Sequence, residues 1–146
     1  MIHMIQNAKD QVAELTLAAY GRAAASGALP RAEGISAPVE IPKDPANGDF
    51  TTTFALAASK ALRMQPRHIA QALLDHLDLT GTYFSAVEIA GPGFLNFRFN
   101  DSWYRGVMAA VESEGDGYGA SGDLAGQKIM VEFVSANPTG PMHMGN

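Results

Sequence analysis

The sequence of 146 residues contains no cysteine. That excludes a disulfide framework and any cysteine-ligated metal centre, and it makes a reducing cytoplasm the default compartment. Among the four histidines, His3, His68, His76 and His143, no pair has metal-ligand spacing, so no metal site is expected. Long apolar runs are missing too. No stretch approaches the length of a membrane span, and the Ala-rich stretch Ala18 to Ala28 lacks the charged and apolar regions of a secretory leader. No membrane partner is expected. Positive charge is scarce, with 10 Lys and Arg against 15 Asp and Glu and a net charge of −5. Taken as a whole, the chain offers no basic field for nucleic acid. The shortage is uneven, however. No acidic residue falls between Asp49 and Asp75, where Lys60, Arg63 and Arg67 lie, and Arg98 is the one charge between Glu88 and Asp101.

What is present suffices for one compact domain with a short extension, at 47% hydrophobic and 17% charged composition. Ile5, Ala8, Val12, Leu15 and Ala19 recur at helical spacing and predict a helix ending near Ser26-Gly27. A Pro- and Gly-rich loop from Leu29 to Asp49 follows, with Val39-Glu40-Ile41 as a short strand. Thr51-Thr52-Thr53 is expected to cap a helix through Ala55 to Arg63, and Pro66 to open another whose inner face holds Ile69, Leu73 and Leu77. Period two then runs from about Phe84 to Asn100, with Gly91-Pro92-Gly93 as the turn of a hairpin. Asn100 or Asp101 can cap a further helix to about Glu112, and Glu114 to Gly126 reads as a Gly-rich linker. Lys128 to Val134 is nearly continuously apolar, as expected of a parallel-sheet strand buried on both faces.

On the second hairpin strand, Leu95, Phe97 and Phe99 alternate with Phe94, Asn96, Arg98 and Asn100. The first set is expected in the core. The second puts an aromatic, an amide and a guanidinium side by side, beside a turn that would let a partner approach closely. An unpaired base could stack on Phe94, be read on an edge by Asn96 and have its phosphate held by Arg98. Equally, Phe94 could pack beneath the first helix while Arg98 solvates the strand. Lys60, Arg63 and Arg67, at about one-turn intervals, could form a ridge for a phosphate backbone or simply a solvated helix face.

After the apolar strand comes Ser135-Ala136-Asn137-Pro138-Thr139-Gly140-Pro141-Met142-His143-Met144-Gly145-Asn146. A strand running into a Pro/Gly-rich loop, with His and Asn where a helix would begin, puts donors at a place already biased toward anions. His143 and Asn146 are the candidates to stabilise charge developing on a transferring phosphate, and Gly145 leaves room for a nucleotide. A plain strand-to-helix loop is the alternative.

The longer string from Val131 to Asn146 closely resembles the entry to the catalytic domain of bacterial arginyl-tRNA synthetases. His143 to Asn146 matches the His-Ile-Gly-His signature of class I synthetases, with Asn146 in place of the second His. Upstream, Gly48-Asp49-Phe50, the stretch Ala55 to Lys60, and Val87 to Phe97 resemble that family's additional N-terminal domain. The resemblance implies that Ser135 and Asn137 contact L-arginine and that His143, Gly145 and Asn146 contact ATP, a substrate used with Mg2+. It further implies that the N-terminal domain meets the D-loop corner of the arginine tRNA. Phe94 and Asn96 match the aromatic and amide that touch a D-loop base, which turns the reading of the hairpin toward base contact.

The expected fold class is therefore α+β, with helices packed on a small antiparallel sheet, then a linker, then one orphan strand of a truncated Rossmann-like catalytic domain. The expected divisions are a tRNA-recognition domain over 1–113, a linker over 114–127 and the start of a class I catalytic domain over 128–146. On this reading the parent is a cytoplasmic arginine–tRNA ligase, while the fragment is catalytically inactive by itself, binds no cofactor, and supplies tRNA recognition through Phe94, Asn96, Arg98, Lys60 and Arg63. Its orphan strand is expected to lie against a neighbouring chain, giving self-association, or to fold back on its own domain. Two alternatives stay open: a free-standing RNA-binding or interaction module in which Lys128 to Asn146 is only a tail, and another adenylyl-transferring enzyme.

Overall fold

The computed structural model describes residues 2–133 together with Ser135 and Gly140. Helix α1, Ile2–Ser26, turns a stripe of Ala8, Val12, Thr16, Ala19 and Ala23 inward, each fully buried. Small residues on that stripe let the helix lie close to its neighbours. The buried hydroxyl of Thr16 donates to the Val12 carbonyl at 2.7 Å, so it costs little. Strand β1, Val39–Glu40, lies within the Pro-rich segment, and a 3-10 turn over Pro45–Asn47 follows, its first amide held by the Asp44 carboxylate.

The chain then runs through β2 (Phe50–Thr52), α2 (Phe54–Leu62), α3 (Pro66–Asp75), β3 (Phe84–Ala90), β4 (Phe94–Phe99) and α4 (Asp101–Glu114). The strands form one antiparallel sheet in the order β1-β2-β4-β3. Its inner face carries Leu95 and Phe97, both fully buried, against Phe54 of α2 and Ile69 and Leu73 of α3. Burying each of these large side chains stabilises the fold by roughly 1.5–3 kcal/mol.

The hairpin, α1 and α4 with Asn100 as its cap form as the sequence patterns predict; α3 opens with Pro66 in its first turn as expected but ends at Asp75, leaving Leu77 beyond the helix and half-buried. The threonine run differs. Thr51 and Thr52 belong to β2, and only Thr53 caps α2, without a side-chain bond to it. The β-branched side chains suit a pleated strand, and the Thr52 hydroxyl donates to the Pro38 carbonyl at 2.7 Å, tying β2 to the segment before β1.

Two glycines fix close approaches. A Cβ at Gly48 (φ +91°) would lie 2.7 Å from the Phe97 carbonyl oxygen, and one at Gly93 (φ +147°) would lie 2.9 Å from the backbone of Pro66. Next to Gly48, the Asp49 amide donates to the Phe97 carbonyl at 2.8 Å and the Asp49 carboxylate accepts from the Phe99 amide at 2.7 Å. Gly48-Asp49-Phe50 thus fastens β2 to β4.

Helix α4 starts where β4 ends. Asn100 Oδ1 accepts from the amides of Ser102 and Trp103 while its Nδ2 donates to the Thr82 carbonyl at 2.8 Å. The Trp103 ring stacks on Phe99 with centroids 4.0 Å apart. Beyond that stack α4 buries no residue fully, and Tyr104, Met108 and Val111 are exposed.

The expected strand at Lys128 to Val134 is not formed by its described residues. Lys128 to Phe133 pairs with no strand, and Met130 and Phe133 are each 93% exposed, so the segment is not folded back on the domain. A parallel-sheet strand needs neighbours on both sides for its N–H and C=O groups. The described residues offer it none.

Candidate nucleic-acid interface

Alternation along β4 separates two faces as expected. Leu95 and Phe97 point into the helices, and Phe94, Asn96 and Arg98 stand on the opposite face, which no helix covers. Register makes this second face a composite of all four strands. Asn96 lies opposite Thr51 of β2 and Glu88 of β3, and Thr51 lies opposite Glu40 of β1. Cross-strand partners share a face, so a polar row, Glu40-Thr51-Asn96-Glu88, crosses the sheet. On β3, Ala90 and Ala86 stand opposite Phe94 and Arg98, leaving space beside the larger side chains.

Part of this face is the floor of a pocket of about 520 Å³. Phe94, Asn96 and Thr51 line it from the sheet, and Ile41, Lys43 and Asn47 from the segment that follows β1. Phe94 is half-buried. Asn96, expected to be exposed, is 94% covered, with 6% of its surface accessible, and Thr51 has 8% accessible. The Thr51 hydroxyl has no hydrogen-bond partner among the described residues. Buried polar groups of this kind are costly unless something completes them. An aromatic wall, an amide and a hydroxyl in one recess suit a flat, hydrogen-bonding ligand such as a nucleobase.

Arg98 sits at the edge of this recess. Its Nη2 donates to the Ala46 carbonyl at 2.6 Å and lies 4.0 Å from the Glu88 carboxylate, with the side chain 40% exposed. The guanidinium therefore reaches across from β4 to the 3-10 turn, and its other N–H groups can still meet an anion. Asn100, grouped with these residues by alternation, serves as the α4 cap.

The turn Gly91-Pro92-Gly93 is closed by the protein itself. Arg67 Nη1 donates to the Gly91 carbonyl at 2.8 Å, and Pro66 packs where a Gly93 side chain would be. Arg67 is thereby separated in role from Lys60 and Arg63. The basic ridge is interrupted: α2 ends at Leu62, Arg63 takes a left-handed φ of 53°, and α3 begins at Pro66. Lys60 and Arg63 are exposed on the helical side of the sheet and line no part of the recess.

Thr51, Lys43 and Asn47 are among the pocket residues that sequence patterns alone did not single out. The β-branched run at Thr51 carried a strand signal, but only the pairing of β1, β2 and β4 brings the loop beside Phe94. Ser135 is exposed and outside regular structure. Apart from Gly140, the motif Ala136 to Asn146, with candidate residues Asn137, His143, Gly145 and Asn146, lies outside the described residues.

A small α+β module, three helices on one face of an antiparallel sheet and a polar recess on the other, is the class these features define. The family described as the arginyl-tRNA synthetase N-terminal domain matches residues 6–99, well over half of the chain, and the chain belongs to that family. It is 41% identical to the arginine–tRNA ligase of Acetivibrio thermocellus over 146 residues, covering 100% of this chain and 26% of the relative. It is 46% identical to the corresponding ligase of Cereibacter sphaeroides over 137 residues, 93% of this chain and 23% of the relative. The chain thus spans about a quarter of the length of such ligases. A solved arginyl-tRNA synthetase from Plasmodium falciparum shares the fold with a TM-score of 0.52 at 12% identity, over 65% of this chain and 16% of that one.

Proposed function

We propose that this chain is the tRNA-recognition part of a cytoplasmic arginine–tRNA ligase and that its open sheet face contacts a D-loop base of the arginine tRNA. The observation that carries the reading is the recess in which Phe94 lies beside the buried Asn96 and Thr51. A base leaving its stack can lie on Phe94 while Asn96 reads its edge, and each stacked base contributes roughly 1–3 kcal/mol. Arg98 stands at the edge of the same recess, its guanidinium tied to the Ala46 carbonyl. Lys60 and Arg63 would touch only RNA that extends past the helical side of the domain.

Family membership extends the proposal to the parent reaction, in which L-arginine and ATP give arginyl-adenylate and the tRNA 3′ end then takes the arginyl group. Ser135 and Asn137 would meet arginine, and His143, Gly145 and Asn146 would meet ATP. That chemistry needs far more of the ligase than the quarter spanned here, so this chain alone is expected to bind and not to aminoacylate. Its affinity is expected to be micromolar or weaker, as contacts spread over a few residues of one module imply.

Chemical footprinting of an arginine tRNA transcript tests the reading. The wild-type chain is expected to protect D-loop nucleotides, and Phe94→Ala to weaken binding by about 5- to 150-fold, the equivalent of one lost stack. Absence of D-loop protection by the wild-type chain would overturn it.

A further inference from the structure

The recess has two walls, and the proposal above uses only one. Phe94 and Asn96 belong to the sheet, whereas Lys43 and Asn47 come from the segment between β1 and β2. That segment is braced once within itself and tied to the sheet at two points. The Asp44 carboxylate accepts from the Ala46 amide at 2.9 Å, the Gly48 backbone lies against the Phe97 carbonyl, and Arg98 Nη2 donates to the Ala46 carbonyl at 2.6 Å. Of these ties, Arg98 is the one that reaches from the open face of β4 to the turn. Glu88, 4.0 Å from the same nitrogen, steadies the guanidinium from β3.

Beneath both walls lie two polar side chains more than nine-tenths buried, Asn96 and Thr51. The Thr51 hydroxyl is unpartnered among the described residues. Lys43 is exposed at the rim of the same recess. A nucleotide whose base lies between Phe94 and this floor would have its sugar and phosphate at the rim, where an ammonium can neutralise a phosphate without ordering a long buried side chain.

We propose that the Ile41–Asn47 segment is the second wall of a cleft for one unstacked nucleotide, with Lys43 its phosphate-binding residue and Arg98 a positioning residue that holds the wall through Ala46. The proposal rests on the base-contact reading and assigns to that site residues the reading does not use. It also separates the two cations. Lys43 acts on the RNA directly, whereas Arg98 acts mainly through the loop, although a direct phosphate contact was the simpler expectation for it.

The test measures binding of an arginine tRNA transcript to the full chain across a salt series, for wild type, Lys43→Ala, Arg98→Met, the double variant and Phe94→Ala. Lys43→Ala is expected to lower affinity about threefold or more and to reduce the slope of log K against log salt by about 0.7–0.9, the signature of one lost phosphate contact. Arg98→Met is expected to speed amide exchange at Asn47 and Gly48 before RNA is added, because their wall has lost a tie. In the Arg98→Met background, removing Lys43 is expected to change the slope little, since two residues acting through one wall are not additive. Full slope loss from each substitution independently would make Arg98 an ordinary phosphate contact and overturn its positioning role. If Phe94→Ala abolishes binding while Lys43→Ala matches wild type in affinity and slope, the second wall is wrong and the base contact stands. If Phe94→Ala matches wild type, the base-contact reading fails and this proposal with it.

Discussion

At Gly48 the chain has room for a hydrogen atom and little more. Its φ of +91° is unfavourable for any residue with a side chain, and a Cβ would press to 2.7 Å from the Phe97 carbonyl, a main-chain atom that cannot swing aside. Gly48→Ala is therefore expected to destabilise the fold by about 2 kcal/mol or more, with the loss visible in the urea midpoint. A change below roughly 0.5 kcal/mol, the range of ordinary surface substitutions, would show that the close approach is relieved by a small shift. Thr51 presents the opposite case. Its hydroxyl is covered and has no partner among the described residues, so a ligand that donated or accepted there would complete a polar group the fold leaves open. From the sequence, Gly48 was recognisable only as part of a string shared with relatives, and Thr51 only as one threonine of three. Neither the carbonyl above the one nor the recess around the other follows from neighbours in the chain.

Among the elements, α4 depends most on a single residue. Asn100 caps it through two amides and also donates to the Thr82 carbonyl, so one side chain joins the helix start to the turn that precedes β3. Asn100→Ala is expected to cost about 1–2 kcal/mol, the upper part of the capping range because a second hydrogen bond goes with the cap. Faster amide exchange confined to α4 and the Thr82–Phe84 stretch would be its mark, while exchange in α1 stays unchanged. This helix was legible from sequence because capping and periodicity are local. The β3–β4 hairpin was legible for the same reason, its turn residues lying between two alternating runs. Strand β2 was not, since three residues are too few to show a period and their partner, β4, lies some forty residues on. Phe94, Asn96 and Arg98 could be named from alternation alone, but their opposite wall could not.

For the molecule as a whole, the sheet is finished on its helical face and open on the other, and a second unsatisfied surface lies in the segment before Val134. Ile129, Met130, Val131 and Phe133 are all exposed, two of them at 93%. An apolar run with free main-chain groups seeks a partner. Concentration-dependent association is expected in sedimentation experiments, and Phe133→Lys is expected to weaken it while leaving the proposed tRNA contact at the Phe94 recess intact. A chain that stays monomeric at high concentration with or without the substitution would count against self-association. Continuous apolar sequence at 128–134 gave a strand signal, but a signal for a buried strand specifies a setting as well as a shape. The described residues supply no such setting.

The hairpin tip has a kinetic consequence. Arg67 holds the Gly91 carbonyl, and Pro66 sits against Gly93, so the open face of β4 is anchored through its turn to the first turn of α3 rather than carried on a free finger. Its ordering entropy is lost during folding, before any encounter with RNA. On the proposed reading, association of RNA with this face is expected to proceed without a slow rearrangement of the hairpin, and differences among RNAs to appear chiefly in how long each stays bound.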